Sequence, residues 1–313
     1  MPNIGDSYEG RPIPAMIIGG TDGGPAVYLQ SEIHAREWIC PSTAMFLIVE
    51  MLESDDAELR RLVELMRFVI TPVSNPDGYA LGHGPNLAAP FSRSRRSRLV
   101  WGRRYTWTEG GRQWRKSRSP NEGSECLGTD LNRNFDGGDW GGPGASTNPC
   151  SGTYRGAGPF SEAEPAAVRD FIVGTIATQQ ELLGGIDYHS FGQIFLRPYA
   201  WSSTEDNPPP NDGIVAEIGD AMAVAAEATP DGAPYTAGGW YDDLYPSSGV
   251  CADWLYNVTY PHGVSFTAEL RDTGQFGFVL PDSEILPTAE EQLASLKEYT
   301  RRVLEARAAR RHA

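Results

Sequence analysis

Several features that would direct this chain to a membrane or a nucleic acid are missing from its sequence. It contains no run of about 18 apolar residues, so no segment is predicted to span a membrane. Its start, MPNIGDSYEGRPI, lacks a charged stretch followed by an apolar one, so no signal peptide is predicted within this chain. The net charge of −15 argues against nucleic acids and anionic membranes as partners.

Cysteine is also scarce, and its four copies have no C-x-x-C spacing, which argues against a structural zinc site built on thiolates. Cys126 and Cys150 lie in Gly-, Asn- and Ser-rich sequence, where a disulfide could close a loop. Cys40 and Cys251 have apolar neighbours. We therefore predict that these two are buried free thiols.

The pattern of apolar residues predicts one α/β domain over residues 1–313. Apolar runs predict strands at 12–19, 26–31, 67–74, 184–190, 193–200 and 263–271, several of them continuous enough to be covered on both faces. Helical patterns cover about 37–53, 161–178, 213–228, 249–258 and 288–310, and Ser161 followed by Glu164 predicts a capping box. Helices interleaved with buried strands predict a mixed sheet flanked by helices.

An arginine-rich segment at about 81–112 interrupts this pattern. It is rich in Ser and Gly and carries Arg93, Arg95, Arg96, Arg98, Arg103 and Arg104. We interpret it as a solvated surface loop inserted into the domain. A basic exosite for acidic substrates is the weaker alternative.

The most informative motif is His34-Ala-Arg-Glu37, at the junction between a predicted strand and a helix. Imidazole and carboxylate groups so close can bind one zinc ion, and a catalytic zinc site uses three protein ligands. The chain has five histidines, and His189 lies at the end of a predicted strand, where sites form in α/β sheets. For His189, a buried structural histidine and a third ligand are about equally supported by the residues alone. We interpret His83, His262 and His312 as surface histidines.

Two further groups suggest chemistry. Arg115, and Asn132 followed by Arg133, lie in turn-rich sequence and offer planar donors suited to a carboxylate, although surface ion pairs are the common alternative. Glu269 stands inside an apolar strand, where a carboxylate is costly to bury unless it is paired or functional. The structural alternative is that Glu269 pairs with Arg271 or with another buried cation.

Taken together, these motifs resemble the zinc carboxypeptidases of the pancreatic A and B type. The matching stretches are SYEGRPI, IHAREW, NPDGY, WRKSRS, DLNRNFD, DYHSFGQ, LYPSSGVCADWLYN and FTAELRDTGQFGFVLP. They occur in the family's order along nearly the whole chain. The resemblance implies a mixed, mostly parallel twisted sheet flanked by helices, and a zinc-dependent enzyme that removes C-terminal residues from peptides or proteins.

The resemblance also implies roles for residues at matching positions. His34, Glu37 and His189 would bind one zinc ion, with Glu269 as general base and Arg115 stabilising the oxyanion. For the substrate, it implies contacts with Arg36, Asn132, Arg133, Tyr245, Ser190 and Phe278, the free carboxylate being held by Asn132, Arg133 and Tyr245. Asp130 would orient the first zinc histidine. Cys126 and Cys150 occupy positions where animal members of the family have a disulfide.

Substrate preference is inferred from the same alignment of motifs. Ala252 occupies the family position that contacts the C-terminal side chain, and Ala200 matches another pocket position. We therefore expect an apolar pocket that prefers aromatic or large aliphatic residues. The resemblance further leads us to expect an extracellular monomer, beginning without the family's usual N-terminal helix and propeptide.

Three other functions remain open on sequence grounds. A related zinc hydrolase acting on acyl-amino acids would share the His-x-x-Glu pair and the distant histidine. A catalytically silent binding protein on the same scaffold would lack a zinc ligand or Glu269. An interaction role through the arginine-rich segment is the third.

Overall fold

The centre of the protein is a seven-stranded sheet. The structure, a computed structural model, describes residues 2–83, 111–137 and 140–312. The sheet order is β3-β5-β4-β6-β9-β7-β8. Its strands are β3 (Met16–Ile18), β4 (Pro25–Ser31), β5 (Arg67–Thr71), β6 (Glu181–Ser190), β7 (Ile194–Arg197), β8 (Thr236–Gly239) and β9 (Val264–Leu270), while β1 (Asn3–Asp6) and β2 (Pro12–Pro14) form a separate pair. Four of the six strand pairings are parallel, which confirms the predicted mixed, mostly parallel sheet.

Helices cover both faces of the sheet because alternate strand residues point to opposite sides. They are α1 (Ile39–Glu53), α2 (Ala57–Leu65), α3 (Pro76–His83), α4 (Ala163–Phe171), α5 (Ala177–Gln179), α6 (Asp212–Glu227), α7 (Trp240–Asp243), α8 (Cys251–Val258) and α9 (Ile285–His312). Val27 and Leu29 of β4 pack with α1, α6 and α9, whereas Ala26 and Tyr28 pack with α4 and α8. Every residue of β4 is buried, as its continuously apolar sequence predicts.

The structure also contains elements that the apolar pattern missed. The short helix α2 buries only Leu59 and Leu62, so its apolar signal is weak. Strand β8 reads Thr-Ala-Gly-Gly, which has little strand propensity and forms at the edge of the sheet by pairing with β7. In both cases the tertiary context decides the element.

The predicted capping box at Ser161 is wrong. Helix α4 begins at Ala163, after Glu162, and has no side-chain cap. The side chain of Asn134 takes over this position: its Oδ1 accepts from the amide of Glu162, and its Nδ2 donates to Ser161 Oγ. A distant segment therefore satisfies the groups that a local cap would have used.

Both cysteine predictions are confirmed. Cys126 and Cys150 form a disulfide with Cα atoms 5.1 Å apart. Cys40 and Cys251 are free and buried. Among the residues described, no helix is both long and apolar enough to cross a membrane. The six arginines of the 81–112 segment lie outside the described residues, so its interpretation as a surface loop stays a prediction.

The parallel strands bring the motif residues to one edge of the sheet. His34 follows β4, His189 is the penultimate residue of β6, and Glu269 lies directly opposite His189 on the neighbouring strand β9. Asn75 follows β5 at the same edge. The carboxyl ends of parallel strands are where α/β sheets form their sites.

Candidate active site

Three buried side chains converge at this edge. His34 and Glu37 lie in the connection between β4 and α1, and His189 reaches them from β6. Each offers one ligand atom, and these atoms all lie within 4.8 Å of one another. His34 Nδ1 and His189 Nδ1 are 3.0 Å apart, and each lies close to a Glu37 oxygen, at 3.0 Å and 3.1 Å respectively.

The orientation of the two imidazoles fits a cation. His34 Nε2 lies 3.0 Å from Asp130 Oδ1, and His189 Nε2 lies 2.8 Å from Asp187 Oδ2. These carboxylates favour a proton on each Nε2, which leaves the lone pairs of both Nδ1 atoms facing each other and Glu37. A positive ion between them removes that repulsion. Two imidazole nitrogens and one carboxylate oxygen are a donor set typical of catalytic zinc.

Electrostatics keep two of the site's carboxylates, Glu37 and Asp130, ionised. Burial raises the pKa of Glu37, but His34 and His189 outweigh it and hold that pKa below its usual value. Burial acts in the same way on Asp130, where Arg115, His34 and Arg133 bring the pKa well below its usual value. Both groups are therefore anions, as a ligand and the support of a ligand must be.

Glu269 differs from these carboxylates because its partners are incomplete. It lines a cavity together with His34, Glu37 and His189, and no described residue hydrogen-bonds to its buried Oε2. Burial raises its pKa to about 8, with His189 opposing and the negative charge of Glu37 adding to the effect. A carboxyl group with such a pKa can take up and release a proton near neutral pH.

Arg115 is tied to the ligand cluster through Asp130. Its Nε and Nη2 donate to Asp130 Oδ2 at 3.1 and 2.8 Å, and its Nη1 lies 3.8 Å from Glu37 Oε1. Since Asp130 also contacts His34, one carboxylate orients both a ligand and this guanidinium. The Arg115 side chain lines the cavity and is 15% exposed, so a bound substrate can contact it.

Asn132 and Arg133 lie in a short helical turn, Leu131–Arg133, that Asp130 caps by accepting from the Asn132 amide. The carboxamide of Asn132 contacts His189 Nε2 at 3.1 Å and accepts from the Cys251 amide at 2.8 Å. Arg133 is fully buried, with Nη1 donating to the Asn132 carbonyl and Nε to that of Gly144. Among the described residues, no acceptor is bonded to Nη2 of Arg133.

One cavity of about 140 Å³ joins most of the predicted site residues. Its lining comprises His34, Arg36, Glu37, Arg115, Asn132, Arg133, His189, Ser190, Phe191, Trp240, Leu244, Tyr245, Glu269 and Phe278. Asp130 is not part of this lining and contacts it through His34 Nε2. Ala252 does not belong to the lining: it is buried in α8, and Ala200 is buried in a cluster with Trp240 and Val250.

A second cavity of about 400 Å³ adjoins the first at Arg36, Arg115 and Tyr245. Its other lining residues are Gln113, Trp114, Lys116, Cys150, Gly152 and Thr153. The guanidinium of Arg36 stacks on the Phe278 ring at 3.9 Å, on the boundary between the site and its surroundings. Tyr245 is 47% exposed, so its side chain is accessible from both cavities.

Sequence reasoning missed four residues of this arrangement: Asp187, Phe191, Trp240 and Leu244. Asp187 precedes His189 by two positions on the same strand, so it points to the same face, and this spacing was a usable signal. Trp240 and Leu244 belong to the segment around α7, whose Gly-rich surroundings gave no indication of a pocket wall.

The comparisons with known proteins agree with this geometry. Residues 1–295 match the family described as zinc carboxypeptidase. The chain is 37% identical to carboxypeptidase B of Bos taurus over 96% of its own length, and 36% identical to carboxypeptidase O of Homo sapiens over 94%. It spans 65% and 70% of those two proteins, and 63% of metallocarboxypeptidase A of Arthroderma otae.

Solved structures give the same result. Bovine thrombin-activatable fibrinolysis inhibitor, in a complex with a tick carboxypeptidase inhibitor, superposes with a TM-score of 0.78 at 33% identity, covering 97% of this chain and 90% of that one. Carboxypeptidase A from Helicoverpa armigera gives a TM-score of 0.79 at 28% identity, covering 99% and 69%. Murein-tripeptide amidase MpaA from Escherichia coli O157, at 16% identity and a TM-score of 0.53, shares the fold alone; the match covers 95% and 91%.

Proposed function

Because this chain belongs to the zinc carboxypeptidase family, we propose that it is a metallocarboxypeptidase that hydrolyses the C-terminal peptide bond of peptides or proteins. One observation carries the proposal. The His34, Glu37 and His189 cluster, the incompletely bonded Glu269 and the buried Arg133 all line one small cavity. This combines a metal centre, an acid–base group and an anion receptor.

Recognition of a free C-terminus depends on the guanidinium and amide groups that line the cavity. We propose that Arg133 and Asn132 hold the substrate carboxylate, with the exposed Tyr245 closing over it. A buried guanidinium binds a carboxylate through charge-assisted hydrogen bonds. An amidated C-terminus would leave that charge without a counter-ion, so the site would reject it.

The reaction divides among the remaining groups. Zinc bound by the three ligands would polarise the scissile carbonyl and activate the attacking water. Glu269 accepts a proton from that water through Oε2 and returns it to the departing amine. Arg115, held by Asp130, donates to the carbonyl oxygen as negative charge develops there.

The upstream part of the peptide has its own place in the proposal. The second cavity begins where Arg36, Arg115 and Tyr245 end the first one. Residues before the scissile bond would therefore pass Arg36 and Phe278 toward it, and both residues are expected substrate contacts. The cations Arg36 and Lys116 line that route.

The preference for aromatic or large aliphatic C-terminal residues stays a proposal. Support now comes from Trp240 and Leu244 rather than from Ala252. Among the described lining residues, the only carboxylates are Glu37 and Glu269, which already have roles. No lining carboxylate therefore remains to pair with a C-terminal lysine or arginine.

A panel of N-blocked dipeptides tests the function. Their C-terminal residues are Phe, Leu, Lys, Arg and Glu, and each is assayed before zinc removal, after chelation and after zinc is restored. We expect Phe and Leu substrates to be cleaved, chelation to abolish cleavage and zinc to restore it. Preference for Lys or Arg would contradict the apolar pocket while leaving the mechanism intact. Absence of turnover in folded, zinc-loaded protein would favour the acyl-amino-acid hydrolase, tested with N-acyl amino acids, or a silent binding protein.

We also propose a location and an oligomeric state for the protein. The Cys126–Cys150 disulfide favours an oxidising, extracellular location, because such bonds rarely persist in the cytosol. A monomer acting on peptide or protein C-termini, with no membrane or nucleic-acid partner, remains our expectation. Size-exclusion chromatography with light scattering would test the oligomeric state.

A further inference from the structure

Asn75 occupies an unusual position beside the site without lining it. It follows β5, immediately before helix α3, and its side chain is completely buried. The carboxamide Nδ2 donates to the carbonyl of Ile33 and to that of Lys116, both at 3.1 Å. Its Oδ1 accepts from the amide of Gly78 at 3.0 Å. All of the side chain's polar atoms are thus bonded to backbone.

The two carbonyls belong to the two segments that carry the chemistry. Ile33 directly precedes the ligand His34, and Lys116 directly follows Arg115. The same segments touch once more, where the amide of Ala35 donates to the Arg115 carbonyl at 3.2 Å. Asn75 therefore links the metal-binding loop to the segment that supplies Arg115.

Asn75 is itself held rigidly. Its backbone amide donates to the Glu32 carbonyl, and its carbonyl accepts from Tyr79 inside the first turn of α3. That turn is packed against the metal-binding loop so tightly that a Cβ at Gly78 would lie 2.5 Å from Ala35 Cβ. Because this support is rigid, it holds the segments bonded to it in fixed relative positions.

We propose that Asn75 is a positioning residue that fixes the Arg115 guanidinium relative to the metal-binding loop. The inference rests on the proposed function. Arg115 must meet a carbonyl oxygen whose place is set by His34 and its fellow ligands. Small displacements of such groups lower turnover strongly, by about 100-fold for about 1 Å. The carboxylate-binding pair Asn132 and Arg133 lies in another segment, so substrate affinity should change little.

The test is a double-mutant cycle measured on zinc-loaded enzyme. Asn75→Ala in the wild-type background should lower kcat roughly 10- to 100-fold, with KM changed by less than about threefold. In an Arg115→Met background the same substitution should lower kcat by no more than about threefold, because its target is gone. Equal losses in both backgrounds would overturn the proposal, since Asn75 would then act independently of Arg115.

Asn121 provides a matched control. Its Nδ2 also bridges two carbonyls, those of Cys126 at 2.9 Å and Gly128 at 3.1 Å, but it does not line the catalytic cavity. Asn121→Ala removes the same kind of bonds and should leave kcat within about twofold of wild type. A loss equal to that of Asn75→Ala would point to general destabilisation instead.

A second measurement keeps the inference separate from the proposed function. Loss of the bond to Ile33 should loosen His34, so zinc release to a chelator should be roughly tenfold faster in Asn75→Ala than in wild type. Unchanged release would overturn the link to the metal-binding loop. Wild-type protein that cleaves nothing would instead sink the proposed function. If Asn75→Ala does not fold, Asn75→Asp keeps the acceptor for Gly78 and removes both donated bonds.

Discussion

Two carboxylates near the end of β9, one fully buried and one half-buried, have opposite environments. Glu291 of α9 is fully buried and completely bonded: its oxygens accept from the Ala233 amide, the Tyr235 hydroxyl and the guanidinium of Arg271. Glu269, two residues before Arg271, has an Oε2 that no described residue bonds. Glu291 links α9 to the end of the sheet through Arg271, whereas Glu269 faces the catalytic cavity. Burial alone does not mark a catalytic carboxylate; incomplete bonding beside a cavity does.

The largest effect is expected from Glu269→Gln. The amide keeps the shape of the side chain but cannot act as a base, so kcat should fall about 10²- to 10⁴-fold. Because the wild-type carboxylate is incompletely bonded, the free energy of unfolding should not decrease. Steady-state kinetics and urea unfolding on the same preparation check both statements. A variant that is destabilised but fully active would show that Glu269 is a structural carboxylate and not the catalytic base.

Glu291→Gln should give the opposite result. It leaves the buried Arg271 with a weaker set of partners, and the free energy of unfolding should fall by about 3 kcal/mol. The kcat of the folded protein should remain close to wild type, since Glu291 is outside the catalytic cavity. Denaturant titration measures the free energy of unfolding, and steady-state kinetics at low temperature measure kcat. A large loss of kcat with unchanged stability would contradict this assignment.

Glu32 is a third carboxylate of interest: it is buried, neither of its oxygens has a hydrogen-bond partner among the described residues, and it does not line the cavity. Its φ of 55° lies in the left-handed region that favours glycine. Glu32→Gly relieves both the strain and the unpaired carboxyl group, so the free energy of unfolding should rise by about 1 kcal/mol. Thermal unfolding of the two proteins, each loaded with zinc, checks this. A lower melting temperature would show that the Glu32 side chain stabilises the folded protein.

Glu164 extends the comparison to pH. Burial raises its pKa from 4.5 to about 7, although it lies at the start of α4, away from the metal ligands. The folded state thus binds this proton more tightly than the unfolded state. Its contribution to stability is complete below about pH 4.5 and is lost as pH rises to about 7. Glu164→Gln should therefore weaken the decline of stability over that range. Urea titrations at several pH values, compared with wild type, test this; identical slopes would contradict it.

The sequence predicted the mostly parallel sheet and the ligand motif because both depend on local signals. Continuous apolar strands and the His34–Glu37 spacing can be recognised in the chain itself. Bonds between distant segments could not be predicted. Asn134 replacing the expected cap at Ser161, and Trp240 lining the cavity where Ala252 was expected, both depend on tertiary packing.

The incomplete bonding of Glu269 and Glu32 is a further property that sequence does not reveal, since it depends on which polar atoms reach them after folding. The same is true of Asn75, whose NPDGY motif indicated family resemblance but not the two carbonyls that its side chain joins. Family motifs identified the residues, and the structure supplied their partners.

In the proposed reaction, a zinc site, Glu269 and Arg133 together remove single residues from a free C-terminus. The most direct measurement is the rate of cleavage of one blocked dipeptide ending in Phe, as the free acid and as the amide, by wild type and Arg133→Gln. We predict rapid cleavage of the acid by wild type, none of the amide, and a rise in KM for the acid with Arg133→Gln. Equal cleavage of acid and amide by wild type would show that Arg133 does not select a free carboxylate.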